Sequence, residues 1–123
     1  FKPVLLSDLT ALGVRSDIIK EVQRGLHDVT KFGTGAMAFR DFPVEIAGKT
    51  GTAENPHGRD HGWFVAYGPF DNPNIVVAVI VEQGGFGAQS AVPIGKKILE
   101  AAFNITNPEE AAKQEAAKNS AAK

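Results

Sequence analysis

The sequence predicts an α+β fold in which a helix, a three-stranded antiparallel meander and a second helix follow one another along the chain. Three observations support this order. Apolar residues recur at helical spacing after position 16, three strand-like segments follow between positions 45 and 82, and a second helical pattern comes after them. With 123 residues, the chain is long enough for one domain or for a piece of one.

The first helix is predicted to begin at Ser16-Asp17, because a serine side chain accepts hydrogen bonds from the free N–H groups of a first turn. Apolar residues then recur at spacings of four, four and three, which is typical of a helix face that packs on a core: Ile18, Val22, Leu26 and Val29. The helix is expected to end near Lys31-Phe32-Gly33. Residues 33–39 are then predicted to form a flexible connecting loop.

Three strands are predicted at residues 45–54, 62–70 and 74–82. The segment Asp71-Asn72-Pro73-Asn74 favours a tight turn, so the second and third strands should pair as an antiparallel hairpin. Ile75–Val81 is apolar without interruption, which predicts a strand covered on both faces. Because such a strand is too hydrophobic for an open sheet edge, we expect a neighbouring strand that this chain does not supply.

The second helix is predicted to begin near Ser90, with Pro93 in its first turn. One side of it should be lined by apolar residues, namely Ile94, Ile98, Leu99, Ala102 and Phe103. Residues 105–123 are assigned to a solvated tail rich in Ala, Glu and Lys, since from Asn107 onward no large apolar residue is available to bury.

Composition excludes several classes of function. The 13 basic and 14 acidic residues nearly cancel, which argues against a nucleic-acid-binding surface. The chain has no cysteine, so disulfides, thiolate catalysis and cysteine-ligated zinc are excluded. We expect no metal site at His57, Asp60 and His61, because these residues lie in a connecting loop without a fourth candidate ligand. No cofactor is expected either.

The segment Lys49-Thr50-Gly51-Thr52 is the part of the sequence that most directly indicates a function. It matches the Lys-Thr-Gly box of serine penicillin-recognising enzymes. On a strand beside a cleft, Lys49 would place a positive charge near a substrate carboxylate, and Thr50 and Thr52 would alternate onto one side to hydrogen-bond it. Gly51 leaves room for a substrate backbone, and the Thr52 N–H is suited to a developing oxyanion.

A phosphate-binding loop is the competing interpretation of Gly48-Lys49-Thr50, and the sequence argues against it. That motif requires a glycine five positions before Gly48, where Pro43 stands. It also requires a strand before the triplet and a helix after it, whereas this triplet lies inside a predicted strand.

Further segments extend the likeness, in the order in which they occur: Gly25 to Val29, Gly33 to Ala36, the box itself, Asp60 to Pro69, Asn72-Pro73, Glu82 to Gly85 and the helix at 93–99. With them, the chain resembles the C-terminal part of the transpeptidase domain of class B penicillin-binding proteins, closest to the cell-elongation type. The resemblance covers about residues 1–104, which we assign to that domain. It implies an incomplete piece of the serine β-lactamase/transpeptidase-like fold.

The chain departs from the family in its reactive centre. The family has a Ser-x-x-Lys motif with the nucleophile and a Ser-x-Asn motif, both before the box. Ser-x-Asn is absent here, and Ser-x-x-Lys occurs only as Ser120-Ala-Ala-Lys123 in the predicted tail. We do not assign Ser120 as a nucleophile, so the chain is expected to carry the wall of the site and to be inactive alone.

The resemblance implies that the parent protein is a peptidoglycan D,D-transpeptidase that cross-links stem peptides ending in D-Ala-D-Ala through an acyl-serine intermediate and binds β-lactams. In that scheme Lys49 supplies charge, Thr50 and Thr52 hold the carboxylate beside Gly51, and the Thr52 N–H helps to form the oxyanion hole. Two alternatives remain: a non-catalytic penicillin-recognition-like binding or assembly module, and a β-lactamase or carboxypeptidase relative.

The resemblance also implies a location and a structural partner. The parent protein would be membrane-anchored in the bacterial cell envelope, on the extracytoplasmic side of the inner membrane. The edge of the third predicted strand, from Asn74 to Glu82, would pair with the upstream part of the transpeptidase domain or with a second copy of this chain.

Overall fold

The computed structural model describes residues 4–105 and arranges them as helices on a three-stranded sheet. The elements are α1 (Ser16–Lys31), α2 (Ala36–Phe39), β1 (Ala47–Ala53), β2 (His61–Gly68), β3 (Ile75–Val81) and α3 (Gly87–Ala102). The predicted order of helix, meander and helix is confirmed, with one short helix added. The tail predicted from position 105 onward, including Ser120, lies outside the described residues except for Ile105. Between residues 4 and 105, no helix is long and apolar enough to cross a bilayer.

The sheet has the order β1-β2-β3, and both pairs of strands are antiparallel. Its register places Thr50 opposite Phe64, and Phe64 opposite Val79. Side chains alternate between the two faces of each strand. On β2 this buries Phe64 and Ala66 on one face and leaves Trp63 and Val65 partly exposed on the other. The core therefore lies on one side of the sheet only.

The core is formed where α3 packs on the buried face of the sheet. Its members come from α2, from the segment before β1, from β2 and β3, and from α3: Phe39, Ile46, Phe64, Ala66, Val77, Val79, Ala91, Val92 and Leu99. Close approach of α3 depends on Gly95, because a Cβ atom at this position would lie 2.5 Å from the Phe64 ring. Phe64 is itself fully buried, so the ring has little freedom to move aside.

The helix α1 differs from its prediction at its first two turns. The residue before it, Arg15, provides no side-chain cap, and Ser16 lies inside the helix. Leu26 and Val29 are half-buried as expected, but Ile18 and Val22 are 51% and 61% exposed. The predicted stripe is therefore wrong for its first half, because within residues 4–105 only the second half of α1 is covered by other elements.

Residues 33–39 are not the flexible loop that the sequence predicts. The Gly35 N–H donates to the Val29 carbonyl at 2.9 Å, which turns the chain back onto the end of α1. The short helix α2 follows, and Phe39 at its end is buried against Phe42 and Phe64, with ring centroids 5.2 and 5.9 Å away. An aromatic anchor in the core therefore holds this segment in place.

The helix α3 starts three residues earlier than predicted, so Pro93 lies within the helix instead of its first turn. Its buried face consists mainly of small residues: Gly87, Ala91, Val92, Gly95 and Leu99. On the apolar side that the sequence predicts, Leu99 is fully buried, whereas Ile94 and Ile98 are 44% and 43% exposed. Glycine or alanine at three of these positions, Gly87, Ala91 and Gly95, lets the helix backbone approach the sheet closely.

The strand β3 is covered on one face within the described residues, not on both. Val77 and Val79 are buried, whereas Val76 and Ile80 are exposed. Together with Trp63 and Val65 they form an apolar surface, which we call the outer sheet face. In the part of the chain that the structure describes, no strand lies along the far edge of β3.

Candidate active site

The Lys-Thr-Gly box lies on β1, at the edge of the sheet. Its residues Lys49 and Gly51 pair with Val65 and Trp63 and so belong to the outer sheet face. Thr50 and Thr52 lie on the other face, the side of the sheet that α3 covers. The two threonines therefore share a side, as the sequence predicts, and Lys49 reaches the Thr50 backbone carbonyl from the opposite side of the strand.

The edge of β1 that faces away from β2 carries backbone groups that bond with side chains instead of with a neighbouring strand. The Thr30 Oγ1 donates to the Ile46 carbonyl at 2.5 Å, and Lys49 Nζ donates to the Thr50 carbonyl at 2.6 Å. In an antiparallel pair, the backbone groups of every second residue point to the same side. Thr52 follows Thr50 by two positions and so shares its orientation. The Thr52 N–H therefore points outward from the open edge and away from β2.

The Lys49 ammonium group folds across this open edge. Its only hydrogen-bond partner within residues 4–105 is the Thr50 carbonyl, and no carboxylate in the described part of the chain is paired with it. A cation whose charge is not neutralised attracts an anion to the strand edge. This arrangement is suited to binding a carboxylate.

Thr34 is a site residue that the sequence analysis missed. Its Oγ1 lies 2.7 Å from the Oγ1 of Thr50, so the two hydroxyl groups are hydrogen-bonded across 16 positions of sequence. Thr34 comes from the turn between α1 and α2, which the sequence assigned to a flexible loop. The signals for it were the flanking residues Gly33 and Gly35, which allow the chain to turn tightly, and the place of residues 33–36 in the family resemblance.

Gly51 is packed on one side against β2. A Cβ atom at this position would lie 3.2 Å from the Cβ of Trp63, a tighter contact than side chains normally make. The missing side chain therefore relieves crowding on the outer sheet face. It also leaves the β1 backbone uncovered there, which is compatible with a ligand backbone lying along the strand.

The segment that enters β1 is anchored to α1 by an ionic cluster. One oxygen of Glu45 lies 2.5 Å from His27 Nε2, and the other lies 2.6 Å from Lys31 Nζ. The hydrogen bond from Lys31, and then that from His27, lowers the pKa of the Glu45 carboxyl from its usual value. The His27 ring also stacks on Phe70, with centroids 4.4 Å apart. Together with the Thr30 bond to Ile46, these contacts position the strand that carries the box.

Polar residues at the end of the β1–β2 connection and the start of β2 bond to the segment after β3 and not to the Lys-Thr-Gly box. His61 Nδ1 accepts a hydrogen bond from the Gln83 N–H at 3.0 Å, and the Asp60 carbonyl accepts one from the Gly85 N–H at 2.8 Å. Both bonds join the start of β2 to the connection between β3 and α3. His57 is exposed. Among the described residues, no three His, Asp or Glu side chains come together as metal ligands.

Comparison with known proteins identifies the family. A family model described as the penicillin binding protein transpeptidase domain matches residues 7–100. The peptidoglycan D,D-transpeptidase MrdA of Haemophilus influenzae is 35% identical over 124 residues, which cover 87% of this chain and 19% of that protein. The peptidoglycan D,D-transpeptidase PbpA of Mycobacterium tuberculosis is 44% identical over 71 residues, which cover 49% of this chain and 14% of that protein.

Solved structures agree with these relatives. A crystal structure of Pseudomonas aeruginosa PBP2 in complex with WCK 5153 matches 67% of this chain and 18% of its own, with 38% identity and a TM-score of 0.63. An imipenem acyl-enzyme complex of M. tuberculosis penicillin-binding protein A matches 73% of this chain and 20% of its own, with 33% identity and a TM-score of 0.56.

These comparisons establish the family of the chain and the share of its relatives' length that it represents. It spans less than a fifth of the length of the curated relatives named above. The predicted fold class is confirmed, since the solved neighbours are transpeptidase domains of the serine β-lactamase-like fold and the chain supplies a piece of it. The chain therefore belongs to the penicillin-binding protein transpeptidase domain family and is similar to its class B members of the cell-elongation type.

Proposed function

We propose that this chain forms the substrate-binding wall of a peptidoglycan D,D-transpeptidase, the parent protein of which it is a part. The observation that carries the proposal is the open edge of β1, where the Lys49 ammonium, which no carboxylate within residues 4–105 neutralises, donates to the Thr50 carbonyl at 2.6 Å. The curated relatives bear the name of that activity. A related penicillin-binding protein A forms an acyl-enzyme with imipenem.

The residues of β1 take complementary roles in this proposal. Lys49 and the hydroxyl groups of Thr50 and Thr52 bind the terminal carboxylate of a stem peptide that ends in D-Ala-D-Ala. The Thr52 N–H then faces the oxyanion that forms on the carbonyl of the scissile bond. Gly51 leaves the strand open, so the peptide backbone lies along it.

The covalent step requires a serine that this chain does not provide in the family's motif. In the parent enzyme, the serine oxygen attacks the carbonyl of the penultimate D-Ala, the peptide bond breaks and the terminal D-Ala leaves with a proton on its amine. The amine of a second stem peptide then displaces the serine. A β-lactam follows the first half of this path and remains on the serine. We infer that the isolated chain is inactive.

A non-catalytic binding or assembly module is the second candidate. This candidate keeps the binding wall on β1 and requires no activated serine in the parent protein. Both candidates place the parent protein in the bacterial cell envelope, anchored to the inner membrane with this domain on the outer side. They also share a partner, the upstream part of the domain, at the free edge of β3. They differ in whether that upstream part carries Ser-x-x-Lys.

A peptide titration tests the binding wall in the chain itself. A peptide ending in D-Ala-D-Ala should shift the amide signals of residues 49–52 in NMR spectra. Replacing the cation, Lys49→Ala, should weaken binding about tenfold, the effect of losing one hydrogen bond to a charged group. The matched control is Lys20→Ala, because Lys20 is exposed on α1 and has no ion pair within residues 4–105. Wild-type protein that shows no shift, or equal weakening in both variants, would contradict the proposed wall.

Intact mass spectrometry after incubation with a penicillin tests the inferred lack of reactivity. The expected spectrum shows the unmodified chain, because a β-lactam needs an activated serine to form an ester. A covalent adduct would overturn this inference and direct attention to the serines of the chain, including Ser120.

A further inference from the structure

The turn between α1 and α2 holds Thr34 in a defined place. On one side, the Gly35 N–H donates to the Val29 carbonyl at 2.9 Å. On the other, the Ala36 N–H donates to the Gly33 carbonyl at 3.1 Å. Gly35 is buried, and the core residue Phe39 fixes the helix that follows. The Thr34 backbone is therefore anchored on both sides, although its side chain faces outward.

The side chains of Thr34 and Thr50 form a hydroxyl pair, with their oxygens 2.7 Å apart. A hydroxyl group has one hydrogen to donate and two lone pairs that accept. The bond within the pair uses one hydrogen, so one O–H remains free whichever threonine donates. When Thr50 donates to a ligand, Thr34 must donate to Thr50, and the chain of hydrogen bonds polarises the outer O–H.

Thr34, one member of the hydroxyl pair, lies at a cavity that residues of α3 also line. Thr34 contributes to the wall of a cavity of about 370 Å³, together with Met37, Ala38, Ala88 and Pro93. Thr34 is exposed and Thr50 is only half-buried, so solvent and ligands reach both hydroxyl groups. The O–H that the pair does not use internally is therefore available to an anion.

We propose that Thr34 is a positioning residue of the carboxylate-binding wall: it donates to the Thr50 oxygen and turns the Thr50 O–H toward the carboxylate. This inference rests on the proposed function, because it assigns Thr34 to the same binding edge. Without Thr34, the Thr50 side chain loses the partner that selects its rotamer. The Thr50 side chain then loses rotational entropy when the ligand binds, and the affinity for the ligand falls.

Two substitutions at Thr34 distinguish the effect of its hydroxyl group from the effect of its side-chain shape. Thr34→Val removes the donor and keeps the branched shape, whereas Thr34→Ser keeps the hydroxyl group. Affinity for a peptide ending in D-Ala-D-Ala should fall about fivefold in the valine variant, the factor expected for one neutral hydrogen bond. Serine should restore binding to within about twofold of wild type, since the same bond is available to it.

A peptide with an amidated C-terminus distinguishes positioning from general structural damage. It lacks the carboxylate, so Thr34→Val should leave its affinity unchanged. Equal losses for the acid and the amide, or no loss for either, would overturn the role of Thr34. If wild type binds the acid no better than the amide and Lys49→Ala changes neither affinity, the carboxylate wall itself fails, which is a different result.

A measurement on the free chain tests the positioning step without any ligand. Three-bond couplings in NMR spectra report the χ1 rotamer of Thr50. We expect one dominant rotamer in wild type and in Thr34→Ser, and averaging over several rotamers in Thr34→Val. A single rotamer that persists in Thr34→Val would overturn the inference, even if the peptide titration supports the proposed wall.

Discussion

Glu45 connects two basic side chains of α1 to the segment that enters β1, only a few residues before Lys49. Lys31 and His27 bind separate oxygens of its carboxylate, at 2.6 and 2.5 Å. Because Glu45 is about half exposed, water and salt weaken this cluster. Its importance lies in position, since it holds the binding strand against the helix that also supplies Thr30 and leads to Thr34.

The pH dependence of stability should report this cluster. The pKa of Glu45 is below its usual value of 4.5 because Lys31 and His27 bond to the carboxylate, so the stabilising effect is complete above that value. It is lost as the pH falls through the lowered pKa. Melting temperature should therefore drop on acidification below about pH 4.5, and this drop should be smaller in Glu45→Gln.

Glu21→Gln is the matched control for charge removal. Glu21 is exposed on the same helix and has no ion pair within the described residues. Its melting curve should follow wild type across the series from pH 7 to pH 3. If Glu45→Gln shows the same acid sensitivity as Glu21→Gln, the cluster makes no measurable contribution.

At the scale of elements, the close packing of α3 on the sheet determines the shape of the core. The helix presents glycine and alanine to β2, and the Phe64 ring fills the space that they leave. Sequence periodicity correctly predicted a helix in this region and placed Ile94, Ile98 and Leu99 on one apolar side, but of these three only Leu99 is buried. Periodicity identifies the apolar side of a helix. The distance between the helix and the sheet decides which side chains fit between them.

A pair of glycine substitutions tests this packing. Gly95→Ala places a Cβ atom 2.5 Å from the buried Phe64 ring and should lower the free energy of unfolding by about 1–3 kcal/mol through overpacking. Gly25→Ala is the control, since a Cβ atom at that helical position meets nothing within 4 Å. It should raise the free energy of unfolding by about 0.5–1 kcal/mol, because alanine favours a helix.

Urea unfolding followed by circular dichroism measures both changes on the same scale. A Gly95→Ala variant as stable as wild type would show that α3 shifts away from the sheet at little cost. The proposed close approach would then not be a constraint on the fold.

At the scale of the whole molecule, the outer sheet face is an apolar surface that no other element within residues 4–105 covers. Trp63, Val65, Val76 and Ile80 are all partly or largely exposed on it, and the neighbouring edge of β3 is unpaired within residues 4–105. Exposed apolar strands at a sheet edge favour pairing with another strand. We propose the upstream part of the transpeptidase domain as the natural cover, and a second copy of this chain when that part is not supplied.

Sedimentation over a range of concentrations tests pairing between copies. Wild type should associate as its concentration rises. Val76→Lys should stay monomeric, because a charge at this 70% exposed position must be desolvated in the paired sheet. The matched control, Val4→Lys, changes a residue that is 75% exposed outside the sheet and should associate like wild type. A wild-type monomer at every concentration would contradict pairing through this edge.

The sequence by itself determined the order of the main elements, the hairpin between β2 and β3 and the place of the Lys-Thr-Gly box on a strand. These features depend on local rules, namely the period of apolar residues and the conformational preferences of turn residues. The alternation of side chains along a strand was enough to place Thr50 and Thr52 on one face.

Only the tertiary structure decided which surfaces are covered and which distant residues meet. It exposes Ile18 and Ile98, buries Gly95, and brings Thr34 to within 2.7 Å of Thr50 across 16 positions of sequence. The physical reason is that burial and hydrogen bonding between elements depend on how closely helix and sheet approach each other. No local pattern of residues contains that distance.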